Sequence, residues 1–575
     1  LDKDESFKIE TPSYFNGSNN GVSNAFRLAG ISEDKGLSLI SSICINSSNE
    51  VNPSGAEDKF VNKADIKNDS LYIRVDKRLN DSNEISILID NYQKEKKVIR
   101  AEGNLAGEYL SQKSNVNTKK DLYSISWNFL SMNENSFFEN ANAKVYYQNQ
   151  HISDLWLEEK NSVLAIERVP RTSDYHHYDK SYGFDLQVGS AFKNHFLTYG
   201  VDYSLTENKY YQDKYEIIYG MIDRIVDKVE YPIKRSPDSE TQRLGIYLQD
   251  EVNYGKLNLI GGLRVDKYTI NPSPDSNYLD YCLSAEDEET EKECNVIDFN
   301  DPPNISPKIG LTYPLNTELE IWGQYSRGLR SPTWWELQAT HLNTDADPNY
   351  QTLPNPNLKS ENSNSYEIGL RGEYKKYNFE LTGFYNNYTN FIESEKLEGQ
   401  EKKDLIAFNN GLDDVITYAK KNLGGARIWG VEFTNKYKFG PNKNGFSFLA
   451  SSGFTHGQDT VKKEPLSNID PFKVVSGIEY ISRNDKFTGE LISTYVGKKR
   501  IKKDDTIFLP EPYITFDLLG QYKYSEFIEL SFGIYNLFNK TYYQSNNVGS
   551  IQSSQGIEQF AEPGRYLKFG FNFIF

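Results

Sequence analysis

The last twelve residues, GRYLKFGFNFIF, set apolar side chains at Leu567, Phe569, Phe571, Phe573 and Phe575, with Lys568, Gly570 and Asn572 between the first four. Successive side chains of a strand point to opposite faces, so this period of two makes one greasy stripe and one polar stripe. The same period recurs at Leu71, Ile73 and Val75, at Tyr123, Ile125, Trp127 and Phe129, and at Phe184, Leu186 and Val188. It returns at Leu244, Ile246 and Leu248, and again at Ile528, Leu530, Phe532 and Ile534. A pattern repeated this often points to an all-β chain.

Composition narrows the choice of all-β architecture. A mean hydropathy of -0.66 and 25% charged residues argue against a bundle of membrane-spanning helices. Yet 14% of residues are aromatic, including 41 Tyr and 32 Phe, which is too rich for a disordered chain. A transmembrane antiparallel β-barrel reconciles these facts: alternate residues face lipid, and Tyr and Trp gather at its two boundaries. Outer-membrane lipid is then an expected partner. The net charge of -17 argues against nucleic acid as another.

Connections alternate in length. Short polar turns are expected at 32–36, 79–84, 131–136, 190–195, 253–256, 314–318, 374–378, 439–445, 482–486 and 524–526. Longer polar segments lie between them, near 16–20, 44–68, 92–118, 150–180, 205–240, 267–305, 327–360, 390–430, 456–470, 497–511 and 539–563. Together they join about 22 strands, with both termini on the short-turn side, as in outer-membrane barrels whose short turns are periplasmic. The whole of 1–575 reads as this one domain.

Two cysteines, Cys282 and Cys294, flank LSAEDEETEKE. So short a separation suggests a disulfide-clipped loop in an oxidising compartment, with unpaired thiols as the alternative. The acidic run from Glu286 to Glu293 reads as a solvated loop tip rather than a cation site.

Several passages resemble TonB-dependent receptors: the hairpin IYLQDE at 246–251 followed by GGLRVD at 261–266, NPNLKSE at 355–361, YNLFNK at 535–540, EPGR at 562–565 and the terminal Phe575. The resemblance implies a 22-stranded barrel in the bacterial outer membrane. It also implies a plug domain and a segment that contacts TonB, neither of which is recognisable ahead of the first strand. An open lumen of this width would leak, so the expectation is a plug that was cleaved, deleted or supplied separately.

Within the family, the seventh long loop resembles haem and haemoglobin receptors, which carry a box like Phe-Arg-Ala-Pro, a histidine and then Asn-Pro-Asn-Leu. Here Leu329, Arg330, Ser331 and Pro332 form a partial first box, His341 follows, and Asn355, Pro356, Asn357 and Leu358 complete the second, with Glu361 beyond. The resemblance implies His341 as an axial ligand of haem iron, a role suited to neutral imidazole. Trp334, Trp335 and Tyr350 are near enough in sequence to cover a porphyrin, and Arg330 could meet its propionates. His176 and His177, expected in the fourth loop, are weaker alternative donors, since adjacent residues of an extended chain point opposite ways. The second box reads as architectural, its proline restricting the chain where the loop returns to the barrel.

The implied function is capture of haem, from haemoglobin or a haem carrier protein, for TonB-energised uptake, with haem as cargo rather than catalytic cofactor. A ferric-siderophore receptor is the alternative, and a passive porin or adhesin a weaker one. No GxSxG elbow or HExxH pair supports an enzyme.

Overall fold

The computed structural model describes residues 7–32, 34–55, 61–100, 109–133, 137–161, 168–219, 225–283, 296–343, 350–409, 415–440, 444–501, 508–548 and 557–575. Its strands form one sheet of 26. Four short ones, Ile225–Ile233, Phe299–Asn300, His341–Asn343 and Tyr350–Leu353, belong to the connections. The other twenty-two are antiparallel neighbours that close into a barrel.

Closure joins the first strand, Phe7–Asn16, to the last, Tyr566–Ile574, in the register Glu10 with Ile574 through Asn16 with Lys568. The Ile9 N–H donates to the Phe575 carbonyl at 2.9 Å, and the Phe575 N–H to the Ile9 carbonyl at 2.8 Å. The terminal residue therefore helps to seal the seam. Each of the twenty-two strands has a neighbour on both sides, so the ladder presents no edge to lipid, and that is the condition for sheet in a bilayer. Phe569, Phe571, Phe573 and Phe575 point outward and exposed. Their neighbours Lys568, Gly570 and Asn572 face the lumen by the same alternation.

All ten expected short turns fall between consecutive barrel strands, such as Asn80 to Asn83, Phe192 to His195 and Tyr254 to Leu257. The opposite side departs from expectation. The segment near 16–20 is a tight turn between strands ending at Asn16 and starting at Gly21. Asn20 takes a left-handed φ of 50° there, and the Asn16 and Asn19 side chains accept from the Ser18 and Gly21 N–H groups.

More important, 92–118, 150–180 and 205–240 are largely strand rather than loop. Tyr109–Leu130 has 22 residues, Phe138–Asn161 has 24, and Arg168–Phe192 and His195–Tyr219 have 25 each. A bilayer needs roughly 9–11. At about 3.3 Å per residue the surplus lifts this wall on the order of 45 Å along the strands beyond the membrane. Both faces meet water there, so apolar alternation fades although the backbone ladder continues. Across the barrel, Lys473–Ile481, Phe487–Val496 and Ile528–Tyr535 have only 9, 10 and 8 residues.

His176 and His177 consequently sit on the strand Arg168–Phe192, not in a loop. The Cys282–Cys294 pairing and the acidic run lie outside the described residues, and Cys44 is a free, half-buried thiol.

Candidate functional site

The connection between Leu319–Arg330 and Glu361–Glu373 folds down into the barrel mouth. Immediately after the first box, Thr333 caps the short helix Trp334–Gln338: its hydroxyl accepts from the Glu336 N–H while the Glu336 carboxylate accepts from the Thr333 N–H. One helix face buries Trp334 and Leu337 against Leu358, Ile270 and Ile392, with Tyr210, Tyr268, Phe299 and Trp335 around them. Ile270 and Tyr268 share the strand Leu257–Ser273 with outward Leu263, and their even positions put them on its lumen face. The loop's small core is therefore built against the inner wall.

Both boxes serve that packing. Pro332 is fully buried. The Arg330 guanidinium is clamped between carboxylates, with Nε to Glu361 at 2.8 Å, Nη2 to Glu361 at 2.5 Å and Nη1 to Glu336 at 2.9 Å. Burial pushes the Glu336 carboxyl up, but hydrogen bonds from Arg330 and Thr333 outweigh it and hold the group below its ordinary range. Glu361 also accepts from the Ile392 N–H at 2.7 Å. With this clamp formed, Arg330 is a strut of the loop rather than a free cation awaiting a propionate.

In the second box, the Asn355 N–H donates to the Leu337 carbonyl at 3.1 Å and its amide to the Lys420 carbonyl at 2.8 Å. Asn355 Oδ1 accepts from the Asn357 N–H at 3.1 Å, closing an Asx turn through Pro356. Leu358 then drops into the core. The two boxes thus meet through Leu337, and between them the strand Tyr350–Leu353 pairs parallel with the start of Ile416–Lys438.

His341 lies in the hairpin formed by His341–Asn343 and Tyr350–Leu353. Its ring meets Tyr350 edge-on at 5.8 Å. Nδ1 is buried and has no hydrogen-bond partner among the described residues. Burial and the nearby Arg235 guanidinium push the imidazole down to about 4, so it is neutral at physiological pH. Of the aromatics expected around it, only Tyr350 touches it; Trp334 and Trp335 pack against each other and the wall.

His176 and His177 point to opposite faces. His176 faces outward, with Nδ1 3.1 Å from His151 Nε2 and Nε2 3.3 Å from Asp174. Its ring stacks on Tyr211, and the His151 ring on Tyr178 at 4.0 Å. His177 faces the mouth, 5.7 Å from Trp334 and 6.4 Å from Tyr210. Its Nε2 is 3.4 Å from the Asp179 carboxylate. Nothing in the sequence pattern singles out Tyr210, Tyr268, Asp179 or His151. Only strand register, which needs the fold, brings them to these neighbours.

The family model described as TonB dependent receptor-like, beta-barrel matches residues 62–537. The chain belongs to the TonB-dependent receptor family. It is a bacterial outer-membrane protein, and its 22-stranded barrel is that of the family. The receptor is 27% identical over 292 residues to the probable hemoglobin and hemoglobin-haptoglobin-binding protein 4 of Haemophilus influenzae, covering 46% of this chain and 28% of that protein. It is 27% identical over 256 residues to heme/hemopexin utilization protein C of Haemophilus influenzae, covering 42% and 34%. These matches span about a third of the relatives' own length. Among solved structures, the copper transporter OprC superposes with a TM-score of 0.72 at 18% identity, over 99% of this chain and 80% of that one. The FrpB iron transporter of Neisseria meningitidis gives 0.69 at 13%, over 100% and 82%. At these identities the likeness is one of fold.

Proposed function

We propose that this receptor captures haem at its extracellular mouth, taking it from haemoglobin or a haem carrier protein, for TonB-energised passage into the periplasm. The observation that carries the reading is His341: an imidazole kept neutral, with Nδ1 unpartnered, in a hairpin between the two boxes. Haem iron asks for that donor, and Tyr350 supplies an apolar edge beside it. The names of the relatives, which speak of haem and haemoglobin, support the same reading. The receptor's role is capture and passage rather than catalysis, with haem as cargo. Energised transport needs a plug in the lumen and a TonB-contacting segment; the barrel supplies the wall and the recognition loops.

A strain lacking the receptor tests this. Restored with the complete wild-type gene, it should grow on haem as sole iron source, and with His341→Ala it should grow poorly. Growth on ferric siderophores alone would replace haem with a chelate as the cargo.

A further inference from the structure

The outer face of the low wall carries a group of cations just above its apolar band. The strand Ile416–Lys438 turns Trp429, Val431 and Tyr437 outward, and Gly445–Asp459 turns Phe446 and Phe448 outward. His456 is in register with Trp429 and Phe454 with Val431, so both share that outward face. The stretches Trp429 to Tyr437 and Phe446 to Phe454 each match the roughly 9–11 residues that a tilted strand needs to cross a bilayer, and each has an aromatic at both ends. Such pairs of aromatics mark the two membrane boundaries. The turn at 439–445 is periplasmic, so Trp429 and Phe454 mark the extracellular one. Phe472 and Tyr495, exposed and 6.5 Å apart, extend that row.

Directly above the row the wall opens. The strand Lys473–Ile481 pairs with its neighbour only as far as Gly453, whereas Gly445–Asp459 continues to Asp459. The chain at 465–472 and 498–500 borders the gap, leaving a cavity of about 120 Å³ lined by Phe454, His456, Phe472, Lys498 and Arg500. Arg500 lies over the Phe454 ring at 5.7 Å, and its Nη1 donates to His456 Nδ1 at 3.3 Å. That bond leaves the ring proton on Nε2 as a further donor. Arg427, two residues above Trp429 on the same face, and Lys498 are exposed, as is Arg500. Among the described residues none of the three cations has a carboxylate within ion-pair distance. The one acid that lines the cavity, Asp470, accepts from the Asn546 amide at 2.6 Å. In a chain of net charge -17, whose mouth arginine is clamped between two carboxylates, unpaired cations gathered at one depth call for an anion from elsewhere.

We infer that this cavity seats a phosphate of an acylated glycolipid in the outer leaflet. The phosphate meets Arg500, Lys498, Arg427 and the His456 Nε2–H, while the acyl chains run down past Phe454, Trp429 and Val431. Depth decides for a lipid over a soluble anion, because the cations stand immediately above the aromatic boundary and face away from the lumen. The site is independent of the cargo, and it anchors the low wall in the membrane.

The test titrates the detergent-purified receptor with bisphosphorylated lipid A and reads the bound lipid by native mass spectrometry. Wild type should retain one lipid, at least tenfold more tightly than the dephosphorylated form. At about fivefold per cation, Arg500→Ala should weaken binding about fivefold and removal of Arg427, Lys498 and Arg500 together about a hundredfold. Arg500→Lys, which keeps the charge, should stay within about twofold of wild type, a rescue that a merely disturbed loop would not show. Unchanged retention by the triple variant, or equal retention of the dephosphorylated lipid, would overturn the assignment. Displacement of the lipid by millimolar inorganic phosphate would overturn it too, since the site would then belong to a soluble anion.

Discussion

The tall wall and the mouth loop stand side by side, yet different forces hold them. The wall is a ladder: the strands Phe138–Asn161 and Arg168–Phe192 pair almost without interruption from Phe138 with Ser190 to Asn161 with Arg168. Its side chains are mostly polar and add to a framework that the backbone already fixes. The loop has little ladder. It depends on a handful of side chains, chiefly Leu358 in its core, Glu361 on Arg330, and the Asn355 contacts. A wall of this kind tolerates substitution. The loop does not, and His341, the proposed donor, sits on the less tolerant part.

The greatest loss should come from the loop core. Leu358→Ala removes a side chain 3% exposed and should cost about 3 kcal/mol of loop packing, read as lost hydrogen-exchange protection at Leu337 and Ile392 with the wall unchanged. Equal protection in the variant would mean that the ladder, not the core, holds the loop. Next comes the clamp. Glu361→Ala leaves Arg330 with one carboxylate and the Ile392 N–H without its acceptor, and should cost about 2 kcal/mol, discounted because Arg330 is partly exposed. Its signature is faster proteolysis within 331–360 in intact outer membranes.

Acid should act on the loop through His341. His341 titrates near 4 in the folded loop against 6.5 for a free imidazole, so between those values the opened loop binds a proton that the closed loop refuses. Loop protection should be full above about pH 6.5 and fall as pH drops toward 4, and His341→Leu should remove that slope. A slope of opposite sign would mean that the folded loop stabilises the charged imidazole. The mildest change belongs to the outer wall. Tyr178→Ala removes the ring stacked on His151 and should cost under about 1 kcal/mol, with haem affinity within about twofold of wild type. A large loss would place part of the binding surface outside the barrel.

The barrel was legible because its lipid face repeats every second residue; the stripe ending at Phe575 and the ten turns needed no tertiary knowledge. The tall wall was hidden for the complementary reason. Stretches such as Lys113 to Lys120 pair fully with their neighbours but meet water on both faces, so nothing forces an apolar rhythm on them. In the mouth, the order of the two boxes and His341 was readable, while the fate of Arg330 was not: a cation beside a loop looks free until register delivers Glu361 and the cap delivers Glu336. The separation of His176 from His177 followed from alternation alone, but Asp179 and Tyr210 became partners of His177 only through the sheet.

The proposed cargo turns on His341 waiting in this mouth as an unpaired, neutral donor for haem iron. Ferric haem added to purified receptor, wild type and His341→Ala side by side, probes that role at the iron itself through the Soret band. The wild type should show a red-shifted, saturable band and the variant a weakened, altered one. Identical spectra and affinities for the two would contradict it.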